Sequence, residues 1–401
     1  MSARTSKPWQ KIPTLRSIYI YLTDECNQHC PHCWISPVLQ GHSKVTRPSL
    51  EQYLQFIDDA VPLGLTYVKV TGGEPLLRPE TLPIVGHASR LGAETTIETN
   101  AMLVGDKEVE FFAANGIHIG TSLDGSCPEA HDRRRGLKGA FRRTWRAVEA
   151  MTQAGINMTV TAAVSHGNLG EIDKILDRLR GIGGRRGKIT FKINPIVPMG
   201  RAKFMKKRRE TLYPHELLRL ADRVGHELVP RYREDGLDII LQLELAFFPI
   251  HSIINAIGTS GAGHCGFLNL ISLLADGSIT FCGIGHEQRH LVMGNIRHGY
   301  DLRKIWEEEP LMQDVRRKVH RGLRGVCGSC LFHSVCLGGC RAAAVAVDGS
   351  LADSPPWCQS LYDAGLFPAS RLDDEAAKEY QEIAPALRAD YQAEVAAMAA
   401  N

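Results

Sequence analysis

The chain has 401 residues, of which 44% are hydrophobic and 23% charged, and a formal net charge of +3. This length supports one large domain plus a smaller one, and the composition is that of an ordinary soluble globular protein. Near-neutrality gives no general case for a nucleic-acid or membrane partner. The N-terminus, Met-Ser-Ala-Arg-Thr-Ser-Lys-Pro-Trp-Gln, lacks the apolar stretch of a secretory signal. No apolar run approaches the roughly 18 residues of a spanning helix. A cytoplasmic location is expected, where thiols stay reduced and clustered cysteines serve as metal ligands rather than disulfides.

The first two hundred residues alternate strand and helix patterns. Strands are predicted at Ser17–Thr23, Tyr67–Thr71, Thr95–Thr99, His118–Leu123, Met158–Val164 and Lys188–Ile193. Amphipathic helices are predicted between them at Leu50–Val61, Thr81–Leu91, Lys107–Asn115, Phe141–Ala154 and Leu169–Leu179. Six β/α units imply an α/β fold with a parallel sheet, and Gly64, Gly92 and Gly116 suit the short returns. Ligands of such sheets collect at the carboxyl ends of the strands.

Polar motifs gather at that end. After the first strand come Cys26, Cys30 and Cys33, three thiols that can hold a metal centre but leave one position open. The plainer alternative is a zinc knuckle that borrows His29 or His32. After the second strand, Gly72 and Gly73 allow a close backbone approach to a ligand, and Pro75 fixes the turn that presents Glu74. Thr99 and Asn100 end the third strand; Ser122 and Asp124 follow the fourth. The basic stretch from His131 to Arg135 can hold a carboxylate. Each motif alone is consistent with a capped turn, but their coincidence at successive strand ends points to a site.

Residues 201–263 read as a bridging segment, with a basic run from Arg201 to Arg209 of the solvated-loop type, a helix at His215–Val229 and a strand at Asp238–Leu245. A docking patch for an acidic peptide is the functional alternative for the basic run. Seven cysteines follow: Cys265, Cys282, Cys327, Cys330, Cys336, Cys340 and Cys358. A zinc ribbon would use four and strand three. Gly261-Ala-Gly263-His-Cys-Gly266 matches a dinucleotide-binding pattern, but no strand precedes it. Cys327-Gly-Ser-Cys330 could be a redox pair, yet its neighbours favour cluster ligation. Cys127 stands outside these patterns, and Leu372–Ala400 reads as a surface helix.

Cys-x3-Cys-x2-Cys after one strand and Gly-Gly-Glu-Pro after the next resemble the radical S-adenosylmethionine (SAM) superfamily over roughly residues 15–200. The resemblance implies a partial (β/α)6 TIM-like barrel, with Cys26, Cys30 and Cys33 holding a 4Fe-4S cluster whose fourth iron chelates SAM. It further implies Gly72, Gly73 and Glu74 near the methionine ammonium, and Thr99 and Asn100 on the ribose side. Ser122 and Arg135 would lie near the carboxylate, and His32, where the family usually has an aromatic residue, beside the adenine, with Pro75 and Asp124 also among the cofactor-binding residues. One-electron reduction of the sulfonium would give a 5′-deoxyadenosyl radical, kept from water by the barrel.

The later cysteines resemble the SPASM extension, implying two auxiliary clusters and three 4Fe-4S clusters in all. Cys327, Cys330, Cys336 and Cys358 would hold one; Cys265, Cys282 and Cys340 the other, whose open iron His264, solvent or substrate could fill. The segments implied are an extension (1–15), the barrel (16–200), the bridge (201–263), the SPASM domain (264–360) and a helical tail (361–401). The whole pattern is similar to maturases of ribosomally made peptides, among them those paired with Nif11-type leaders. Crosslinking, epimerisation and backbone excision are the expected outcomes. About fifteen residues precede the first strand, so leader recognition is expected from a separate protein or the barrel surface. The electron donor would be of the flavodoxin or ferredoxin type. A sulfatase-type maturase and a zinc-binding scaffold are the alternatives.

Overall fold

The computed structural model describes residues 12–182, 187–248 and 266–399. The expectations for His264, Cys265 and most of the glycine pattern before Gly266 lie outside the described residues. Strands β1 (Ser17–Thr23), β4 (Tyr67–Gly72), β5 (Glu94–Glu98), β6 (His118–Ser122), β7 (Met158–Val164) and β8 (Ile189–Pro195) pair in that order, all parallel, while the two-residue strands β2 (Glu25–Cys26) and β3 (Val38–Leu39) pair with each other in the loop after β1. Their alternation explains the architecture. In β7 and β8 every second residue is fully covered while the others are half-buried, so one face meets helices and the other lines the barrel interior.

Helices α1 (Leu50–Ala60), α2 (Thr81–Arg90), α3 (Asp106–Ala114), α4 (Pro128–Arg135), α5 (Ala140–Gln153) and α6 (Ile172–Ile182) cross between the strands. α1 shows why they form where they do. Ser49 and Gln52 make a reciprocal capping box, and Tyr53, Phe56, Ile57 and Ala60 recur at helical spacing on its buried face. A cap of this kind stabilises a helix by about 1 kcal/mol.

Two features are new relative to the sequence reading. α4 carries the expected basic stretch, so His131, Arg134 and Arg135 are helical and buried. The sheet also extends beyond β1: β10 (Leu270–Leu273) pairs parallel to it, and β11 (Ser278–Thr280) and β12 (Val292–Asn295) follow antiparallel. β9 (Leu237–Leu241) completes the other edge beside β8. The expected strand at Asp238–Leu245 is thus shorter, and Leu245–Phe247 forms a 3-10 turn.

The chain divides into two compact units, which cut across the segments read from the sequence. One runs to Thr211 and includes Val229–Ile240 and Gly266–Asp314; the other contains Leu212–Leu228, the segment after Leu241, and the chain from Val315 onward. Residues 266–314 therefore belong with the barrel unit. Among the described residues, no helix is long and apolar enough to cross a membrane.

Ile97 sits in the middle strand β5, fully buried and in register with Val70 and Ile119. Ile97→Ala is expected to cost about 2–5 kcal/mol, read as a lower urea midpoint under anaerobic conditions.

Candidate active site

The loop after β1 and the loop after β4 are zipped together by their backbones. Gly73 N donates to the Thr23 carbonyl and Glu74 N to the Glu25 carbonyl, both at 2.7 Å. A Cβ at Gly72, where φ is +127°, would lie 2.5 Å from the Thr23 carbonyl oxygen, and one at Gly73 would overlap the Glu25 carbonyl. Close approach is indeed what these glycines provide, but the partner is the cysteine loop itself.

Glu74 binds the next loop. Its buried carboxylate accepts from Thr99 Oγ1 at 2.6 Å, Asn100 N at 2.8 Å and Leu76 N at 3.0 Å. Burial pushes its carboxyl up, against these three hydrogen bonds. The Asn100 side chain donates to Asn27 Oδ1 at 2.6 Å, returning the network to the cysteine loop. Thus the loops after β1, β4 and β5 form one hydrogen-bonded body.

The three thiols sit inside it. Cys26 and Cys30 are buried and Cys33 half-buried; Cys33 N donates to the Cys30 carbonyl at 3.3 Å, and Gln28 N to Cys26 Sγ at 3.4 Å. Burial first, with Glu74, Cys30 and Cys33 adding to it, pushes the Cys26 thiol up to about 12. Thiolates gathered here therefore need a compensating cation, the role that cluster iron fills.

Arg201 closes the loop from outside. Its backbone N donates to the Cys33 carbonyl at 3.0 Å, and its guanidinium to the carbonyls of Cys30, at 3.1 Å, and Pro37. The basic run thus splits: Arg201 clamps the site, whereas Lys206, Lys207 and Arg208 are exposed on and after α7 (Ala202–Lys207).

The fourth strand end supplies a charged cluster. Asp124, fully buried, lies 3.2 Å from His32 Nε2 and 3.0 Å from an Arg135 terminal nitrogen, and its other oxygen accepts from Ala163 N at 2.9 Å. Burial alone would raise its carboxyl, but Arg135 and then His32 hold it at about 2. Burial drives His32 down to about 3, opposed by Asp124, and leaves its Nδ1 without a partner. Arg135 also points a guanidinium nitrogen at Cys30 Sγ, 3.8 Å away. Ser122 ends β6 half-buried.

A second cysteine set lies wholly within the other unit. Cys327, Cys330, Cys336 and Cys358 line one small cavity, with Glu244, Phe332 and Phe367 among its walls. Leu337 (φ +53°), Gly338 (φ +78°) and Gly339 (φ +62°) form a left-handed run after Cys336. Cys327 N donates to Ser354 Oγ at 3.0 Å, and the buried Arg341 donates to the carbonyls of Leu351, Asp353 and Gly338. Burial pushes Cys327 up to about 11 and Cys336 to about 12.

Among the described residues no three His, Cys, Asp or Glu side chains converge tightly enough for a single metal ion. Thiols spread around a cavity instead suit a cluster, in which each binds its own iron. Cys340 begins the helix Arg341–Asp348 in this unit, while Cys282 precedes the 3-10 turn Gly283–His286 in the barrel unit. Cys127 is half-buried at the start of α4. Sequence reasoning missed Glu244, whose carboxyl burial raises to about 7; an isolated glutamate near a strand carries no signal. It also missed Asn27, Gln28 and Arg201, polar residues with no motif of their own.

Residues 20–179 match the radical SAM superfamily, and residues 265–331 match SPASM, an iron-sulfur cluster-binding domain. The chain carries a radical SAM domain and a SPASM domain, and it is an enzyme. The radical SAM domain implies a 4Fe-4S cluster and SAM, and SPASM implies auxiliary iron-sulfur clusters. The chain is 28% identical to the AdoMet-dependent heme synthase of Methanosarcina barkeri, covering 84% of this chain and 94% of that relative. It is 25% identical to the PqqA peptide cyclase of Ruegeria pomeroyi, covering 89% and 90%. Streptococcus suis SuiB bound to its precursor peptide SuiA has the same fold, with a TM-score of 0.66 at 19% identity over 87% of this chain and 77% of that one.

The zipper makes a specific demand on Gly73. Gly73→Ala is expected to displace the cysteine loop and remove about four irons per chain, those of the SAM cluster. Iron and sulfide analysis after anaerobic reconstitution checks this; full iron content would contradict it.

Proposed function

We propose that this enzyme is a peptide maturase that acts on a ribosomally synthesised precursor. What carries the reading is the pairing of an open three-thiol site at the barrel's strand ends with a four-thiol cavity in the second unit. Likeness to a peptide cyclase over nine-tenths of both chains supports it. The 28% identity to a heme synthase favours a second reading, in which the substrate is a tetrapyrrole.

A bound 4Fe-4S cluster would supply the single electron needed for reductive cleavage of SAM, and so the radical that would take hydrogen from the substrate. The residues around it have distinct tasks. Cys26, Cys30 and Cys33 would hold the cluster and leave one iron for SAM. Gly72, Gly73 and Glu74 would serve the methionine ammonium, Thr99 and Asn100 the ribose, and Ser122 and Arg135 the carboxylate, with His32 by the adenine; Pro75 would fix the turn of the second loop and Asp124 would pair with Arg135. The half-buried interior face of β7 and β8, including Thr159, Thr161 and Lys192, would present a polar wall to substrate. Cys327, Cys330, Cys336 and Cys358 would hold one auxiliary cluster, and Cys265, Cys282 and Cys340 the other. An external flavodoxin- or ferredoxin-type donor would supply the electron, and a separate protein could deliver the precursor's leader.

Co-expression with the small peptides encoded beside the gene, followed by mass analysis, tests the substrate. A mass change in a peptide supports the maturase; its absence, with turnover of a tetrapyrrole, supports the second reading. Two substitutions separate the sites. Cys30→Ala is expected to abolish 5′-deoxyadenosine formation, whereas Cys330→Ala is expected to retain it and lose the modified product, both followed by chromatography. Reconstituted enzyme is expected to hold about twelve irons, four per cubane; zinc in their place with no SAM cleavage would overturn the enzymatic role.

A further inference from the structure

The Arg135 guanidinium stands between two partners. One terminal nitrogen pairs with Asp124 at 3.0 Å, and the other lies 3.8 Å from Cys30 Sγ, a sulfur–nitrogen distance suited to a hydrogen bond. Both sides of this bridge are fixed. Asp124 is fully buried and held by Ala163 N, while the carbonyl of Asp124 accepts from Asn168 Nδ2 at 3.0 Å. The Arg135 backbone carbonyl accepts from His29 N at 3.1 Å, which ties the end of α4 to the cysteine loop. Gly136 follows at φ +63°, and a Cβ there would press on the His29 carbonyl at 2.7 Å. Arg135 is 8% exposed, so its charge acts in a weakly screened setting.

We infer that Arg135 sets the reduction potential of the SAM cluster by hydrogen bonding to the Cys30 thiolate, and that Asp124 is the positioning residue that aims it. Reduction adds negative charge to the cluster, so a buried donor and cation at one of its sulfurs favours the reduced state and raises the potential. Asp124 holds the fork so that one nitrogen faces the sulfur; its own charge is matched by Arg135 and does not stand bare beside the cluster. The Arg135 Nε has no partner and remains free to face a bound SAM carboxylate. The effect on the potential precedes SAM binding and does not depend on which substrate the enzyme takes.

The test uses full-length reconstituted enzyme without SAM. An EPR-monitored redox titration is expected to place the Arg135→Met cluster at a more negative midpoint than the wild type, with Arg135→Lys, which keeps the charge but not the fork, between them. Auxiliary clusters give an internal reference and are expected not to move. An unchanged midpoint in an iron-replete Arg135→Met enzyme would overturn the inference. Should that variant fail to hold its cluster, the wild type alone decides. In D2O, pulsed EPR of the reduced SAM cluster should detect an exchangeable deuteron close to a cluster sulfur, and absence of that coupling refutes the hydrogen bond.

Discussion

The approach of two backbones at the end of the barrel governs this active site. The carbonyls of Thr23 and Glu25, in the loop that carries the cysteines, accept hydrogen bonds from Gly73 and Glu74 at 2.7 Å. A side chain at either glycine would force the loops apart. Glu74 then spends its carboxylate on Thr99 and on the backbone of Asn100 and Leu76. A long loop at a strand end would ordinarily be mobile. Here the two β-strands beneath it, β1 and β4, extend their pairing into the loop, so the thiols are positioned by the sheet rather than by their own short segment.

That rigidity has an electrostatic cost. Buried thiols resist ionisation, as the raised values for Cys26, Cys327 and Cys336 indicate, yet cluster iron binds thiolate. The two sites meet this differently. Beside the first trio stand Arg135 and, clamping its carbonyls, Arg201. Beside the second set Arg341 gives its guanidinium to three carbonyls and shapes the chain, Arg371 acts on Cys330, and Glu244 stands in the cavity wall.

Much of the barrel was legible because burial is one-sided. β1 and β7 were read residue for residue, since Ile18, Ile20 and Leu22, and likewise Met158, Val160 and Val164, mark the covered face. α4 was not read because its buried residues are His131, Arg134 and Arg135, the reverse of the usual apolar face. β10 was missed for the opposite reason: Leu270, Ile271, Ser272 and Leu273 are buried on both faces, so the run has no period. The strand-end residues were identified singly from their positions. Their mutual bonds, Glu74 to Thr99 and Asp124 to Arg135 and His32, depend on side-chain geometry that no spacing encodes.

The inverted burial of α4 also bears on how the two kinds of site differ. A helix that turns two arginines and a histidine inward is stable only where an anion awaits them. Asp124 is one such anion, paired with Arg135, and the charge of Glu210 acts on Arg134 as well. Arg134 instead donates to Ser165 Oγ and the Ala163 carbonyl, leaving Arg135 to answer both Asp124 and Cys30. Positive charge packed beside the thiols suits a site that takes up an electron and SAM. Four thiols and the Glu244 carboxyl line the cavity of the second unit. Closed ligation restricts a metal centre to electron transfer or structural support, whereas an open position permits chemistry on a bound substrate. The two cysteine sets thus differ in the number of thiols that each gathers and in the side chains packed beside them.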